Sequence, residues 1–71
     1  MSTRKPAHSK YEAMTVNARL FTAGLMDEWD AAVRRRDRAA MISILRRVDL
    51  PEEDAAWSVD LILENPSAYG F

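Results

Sequence analysis

Apolar residues recur along this chain at intervals of three and four, and no stretch shows the strict alternation of a strand. The pattern predicts an all-α fold, a compact bundle of three to four short helices. The first helix starts after Thr15 as N-cap, reached through a turn-like or helical approach from Tyr11 to Met14. It carries Val16, Leu20 and Phe21 and stops at Gly24, a residue suited to a left-handed C-cap. The second runs from about Met26 to Arg36, with Met26, Trp29, Ala32 and Val33 on one inward stripe. Asp37 is a good N-cap for the third, from Arg38 to about Arg47, whose inward residues are Met41, Ile44, Leu45 and Val48. Asp49-Leu50-Pro51-Glu52 is the clearest start signal in the chain, with a proline suited to the first turn followed by acidic residues. The fourth helix then runs to Asn65-Pro66, because proline disfavours helical conformation in the residue before it.

That fourth helix is apolar on two opposite faces. Ala55, Ala56, Val59, Ile62 and Leu63 form one stripe, spread over about 120° at roughly 100° per residue. Trp57 and Leu61, one turn apart, project from the other side. Glu53, Asp60 and Glu64 line one flank of that second strip, and Asp54, Ser58 and Asn65 the other. An apolar strip with a charged rim is a layout common at interaction surfaces. Its cover is either intramolecular or another molecule. Tyr69 and Phe71 can fold back after Asn65-Pro66-Ser67, which is good turn material, or Tyr11 and Met14 can dock there.

Residues 1–10 (MSTRKPAHSK) are polar, contain Pro6 and lack periodicity, so they read as a disordered leader before a single small helical domain over residues 11–71. A 71-residue chain buries only about 60% of its unfolded surface, and small folds often add disulfides or metals. With no Cys and one His, in the leader, helix packing and oligomerisation are the routes left. No apolar run reaches the roughly 20 residues of a membrane span, and residues 1–10 lack the apolar core of a signal peptide, so the expected location is the cytoplasm, away from membranes.

The net charge of −1 conceals strong segregation. Residues 31–48 carry six arginines against Asp37, whereas residues 49–71 carry Asp49, Glu52, Glu53, Asp54, Asp60 and Glu64 and no Lys or Arg. Asp27, Glu28 and Asp30, like Glu52, Glu53 and Asp54, sit in the first turn of a predicted helix, where the macrodipole favours negative charge. Neither set resembles a calcium loop with its turn glycine and alternating oxygen ligands. Ser43 and Ser58 have no histidine base in the helical region, and His8 has no second ligand, so the reading is of a protein that is no enzyme and holds no metal or cofactor. Arg34, Arg35, Arg38, Arg46 and Arg47 are the nucleic-acid candidates. Most of them close a helix, where cations complement the dipole, and the acidic final third opposes non-specific DNA affinity; both disfavour nucleic acid.

The stretch Asn17-Ala18-Arg19-Leu20-Phe21 through Gly24-Leu25-Met26-Asp27, then Arg35-Arg36-Asp37-Arg38 and Met41-Ile42, has a familiar look, as does Ile62-Leu63 before Asn65-Pro66 and Tyr69-Gly70-Phe71. Together these segments resemble small uncharacterised helical proteins of alphaproteobacteria. The resemblance implies a bacterial, cytoplasmic origin and brings no activity, cofactor or site residue with it.

The function expected from these patterns is a small non-catalytic protein-interaction module, acting as an adaptor, regulator or inhibitor. Trp57 and Leu61 form its apolar centre, and Glu53, Asp60 and Glu64 its rim. Self-association as a homodimer through the fourth helix is a variant of the same reading. The alternative is a nucleic-acid-associated regulator using the arginines between residues 34 and 47.

Overall fold

The computed structural model describes residues 11–71. The leader expected over residues 1–10, with His8, lies outside the described residues. Four helices follow one another along the chain: α1 (Val16–Ala23), α2 (Met26–Arg34), α3 (Arg38–Arg47) and α4 (Glu52–Glu64), with a 3-10 turn over Pro66–Tyr69. Among the described residues there is no strand, so the fold is all-α as the periodicity predicts. No helix among them is long and apolar enough to cross a membrane.

The starts of the helices follow local chemistry. The Thr15 hydroxyl accepts a hydrogen bond from the Ala18 N–H at 3.1 Å, and the Asp37 carboxylate accepts one from the Ala40 N–H at 3.1 Å. α2 and α4 lack a side-chain cap and rely instead on Asp27 and Glu28, and on Glu52, Glu53 and Asp54, beside the exposed N–H groups of their first turns.

The ends of α1, α2 and α3 share one device. At the close of α1, Gly24 is left-handed at φ 73°, and Leu25 donates back to the Leu20 carbonyl at 2.9 Å. α2 and α3 close the same way, with Asp37 donating to Ala32 and Leu50 to Leu45, around Arg36 at φ 55° and Asp49 at φ 66°. Each is a Schellman closure, in which the residue past the end satisfies a carbonyl of the last turn. α2 is therefore shorter than its predicted extent to Arg36. Arg36 holds the left-handed position that glycine usually takes, and an L-residue there costs roughly 1–2 kcal/mol.

Burial pays no regard to sequence order. Leu20 from α1, Trp29, Ala32 and Val33 from α2, Met41, Ile44 and Leu45 from α3, and Ala55 and Val59 from α4 meet in one core with Tyr11, Leu25, Val48 and Leu50. α3 lies between α2 and α4, while α1 packs on α2. In α1, Leu20 is fully buried but Phe21 is 78% exposed. Neighbouring helical residues point about 100° apart, so a short helix on the margin of the core buries one of them. Arg19 joins the frame through its guanidinium, whose Nε donates to the Met14 carbonyl (3.1 Å) and Nη1 to the Val48 carbonyl (3.0 Å).

Candidate protein-interaction surface

α4 spans 13 residues, about 20 Å of helix. Four of the five residues of its predicted inward stripe face the core, while Ala56, at the edge of the stripe, is only half-buried and is not among the residues packed there. Ala55 and Val59 are buried, and Ile62 and Leu63, half-buried, pack against the core. The opposite side carries Trp57, 68% exposed, with half-buried Leu61 one turn further on.

Intramolecular cover of Trp57, one of the two expected arrangements, is not what the chain adopts. After Asn65 the 3-10 turn is closed by Phe71 donating to the Pro66 carbonyl at 3.1 Å, and Phe71 packs against the core. The tail thereby reaches Ile62 on the inner side of α4, with Val16, Met26 and Trp29 across from it. Tyr11 is itself buried and Met14 packs against the core, so neither end of the domain shields Trp57.

The expected acidic rim divides in two. Arg38 holds Asp60 with two bonds, Nε to Oδ1 at 2.7 Å and Nη2 to Oδ2 at 3.3 Å. This hydrogen-bonded pair keeps the Asp60 carboxyl below the usual carboxylate range and raises the Arg38 guanidinium above its own. Asp60 is thus paired at the surface with the start of α3 and is not an unengaged rim charge. Glu53 and Glu64 are exposed and meet no cation among the described residues. At the far end of α4, Arg36 Nη1 donates to the Leu63 carbonyl at 3.4 Å, placing a cation at the negative end of the helix dipole.

The candidate nucleic-acid arginines fall at the two ends of α3: Arg34, Arg35 and Arg38 flank its start, and Arg46 and Arg47 close it, about 12–14 Å further along the axis. All but Arg34 are engaged within the chain. Arg35 meets Asp37 (3.4 Å), Arg38 meets Asp60, Arg47 meets Glu28 (2.8 Å), and Arg46 donates to the Leu50 carbonyl (3.0 Å). The Asp37 carboxyl is held low first by the Ala40 N–H and then by Arg35. Among the described residues, no three of His, Cys, Asp or Glu come together as a metal-ligand group.

Sequence reasoning missed a groove of about 690 Å³ between the tail and the first two helices. Val16, Met26, Trp29, Ile62 and Phe71 give it an apolar lining, and Asp30 and Arg34 also line it. The signal for it lay in Phe71, whose destination depends on how the chain turns at Pro66. No family model, no curated protein and no solved structure matches this chain.

Proposed function

We propose that this chain is a small non-catalytic protein-interaction module, an adaptor, regulator or inhibitor, that docks through the outer face of α4. Trp57 is the apolar centre of the contact, Leu61 extends it along the helix, and Glu53 and Glu64 form its charged margin. The observation that carries this reading is the exposure of Trp57, at 68%, on a helix whose opposite face is buried in the core. A tryptophan offers roughly 150–250 Å² for burial, so about 100–170 Å² of it remains in contact with water here. Tryptophans at the centre of an interface are among the residues whose truncation most weakens binding, by about 2 kcal/mol or more. The rest of α4 supports the same use. The helix is packed on the core through its buried stripe, with the Arg38–Asp60 pair beside it at the surface, so the backbone that presents Trp57 is part of the folded bundle.

The test compares wild type with Trp57→Ala as bait in cell lysate, with far-UV circular dichroism on both. A partner held by wild type and lost from a Trp57→Ala chain of unchanged helicity supports the reading. A partner held equally by both places the contact elsewhere and refutes it.

A further inference from the structure

We propose that the partner of the α4 face is a cationic amphipathic segment of another protein, an apolar stripe flanked by Lys or Arg, and that a second copy of this chain does not fill the role. The inference rests on the docking reading above and adds the chemistry of the occupant. Its first support is charge. Residues 48–71 contain no Lys or Arg, so the outer face of α4 has no cation of its own. Asp60 is paired with Arg38, but Glu53, Asp54 and Glu64, which share the outer face with Trp57, are exposed and meet no cation among the described residues. Trp57 therefore stands in a field of uncompensated negative charge, which steers and selects a positive partner.

The second support is what this chain can offer to itself. Among the described residues, Arg19, Arg35, Arg36, Arg38, Arg46 and Arg47 each already donate to a carbonyl or carboxylate of the same chain. Arg34 remains, and it lines the groove on the tail side beside Asp30. A twofold contact through α4 would set one acidic rim against its copy, a like-charge arrangement that opposes association. Residues 1–10 supply Arg4, Lys5 and Lys10, with Met1, Pro6 and Ala7 as the apolar residues among them and no apolar stripe at helical spacing to lie against Trp57. The chain is poor in the counterpart that this face requires.

The test titrates full-length protein with a synthetic helical peptide as long as α4, leucines on one face and lysines on the other. A second peptide has glutamates in place of the lysines. Backbone amide chemical shifts locate binding, and sedimentation velocity of the protein alone reports its mass. The expected result is binding of the lysine peptide with shifts confined to α4 and its flanks. It weakens about tenfold or more in Trp57→Ala. It also weakens with added salt, less steeply so in Glu53→Gln/Glu64→Gln. If both peptides bind α4 equally and both depend on Trp57, the docking reading stands and the cationic partner is overturned. If the protein alone dimerises and Trp57→Ala abolishes the dimer, a second copy is the occupant and the proposal is likewise overturned. If neither peptide shifts α4 and the protein stays monomeric, both the proposal and the docking reading fail.

Discussion

The two tryptophans give a controlled comparison, because the same truncation removes a core residue in one case and a surface residue in the other. Trp29 is 3% exposed and Trp57 is 68% exposed. For Trp57→Ala, only the shielded third of the side chain counts towards folding, roughly 50–80 Å². At about 25 cal/mol per Å² that is worth about 1–2 kcal/mol at most. Alanine retains part of that contact and favours the helix by a few tenths of a kcal/mol, which leaves a net loss of about 1 kcal/mol or less. For Trp29→Ala the loss includes the cavity left behind and is about 3–5 kcal/mol. The helical region over residues 11–71 has roughly 3–9 kcal/mol in total, so the Trp29 variant sits near the edge of folding while the Trp57 variant stays inside it. Urea unfolding followed at 222 nm measures both. Equal midpoint losses for the two variants would make Trp57 a core residue and would sink the reading of α4 as a two-faced helix.

Other consequences of the structure are open to simple measurements. Gly24→Ala meets no atom within 4 Å of the added methyl, so its cost is purely that of the left-handed backbone, about 1–2 kcal/mol by urea unfolding; no loss would mean that α1 ends differently. Arg36→Gly relieves the corresponding strain at the end of α2 but removes the long, exposed bond to the Leu63 carbonyl, so a net rise in stability below about 1 kcal/mol is expected in the same assay, and a loss would mean that the Leu63 contact outweighs the strain. Asp37 and Asp60 have folded carboxyls held below their usual values. Their contribution is therefore present above the unfolded pKa of about 3.8 and is lost as pH falls through the lower folded value; melting temperature should drop on acidification through that window, and less so in Asp37→Asn, which keeps the cap without the charge. Filter binding at low salt should retain no random-sequence duplex DNA, and retention that falls steeply with salt would revive the arginines as a phosphate-binding set.

Much of the frame was legible in the residues because the deciding interactions are local. Thr15 and Asp37 cap where predicted, Gly24 ends α1, and the three- and four-residue spacing picks out the buried residues of α2 and α3, whereas of Val16, Leu20 and Phe21 in α1 only Leu20 is buried. What escaped prediction was decided at longer range. Arg36 has the composition of a helix interior, yet the short connection to α3 requires a left-handed residue there. Phe71 goes to Ile62 and the groove, since the turn at Pro66 aims it there, and nothing in the pentapeptide tail distinguishes that direction from a return over Trp57. The site divides along the same line. That Trp57 and Leu61 share an outer face follows from helical spacing alone. The capture of Asp60 by Arg38, 22 residues away, and of Glu28 by Arg47, 19 residues away, depends on how α3 lies against its neighbours.

Those long-range pairs also explain why a nearly neutral chain has a polarised surface. Arg36, Arg38 and Arg47 each meet a carbonyl or carboxylate of another helix at the surface of the bundle, and Arg46 meets the Leu50 carbonyl just past its own helix. Glu52, Glu53 and Asp54 are held at the start of α4 by the helix dipole instead, which stabilises negative charge without neutralising it. One set of ionic groups is thus consumed by the fold while the other remains directed at solvent, around the most exposed tryptophan of the chain. Neutralising Asp60 should therefore loosen the α3–α4 junction, whereas neutralising Glu53 or Glu64 should leave the frame unchanged and alter only what approaches Trp57. Melting curves of Asp60→Asn and Glu53→Gln separate the two roles: a lower melting temperature in the first alone fits this division, and equal losses in both would show that the rim, too, holds the bundle together.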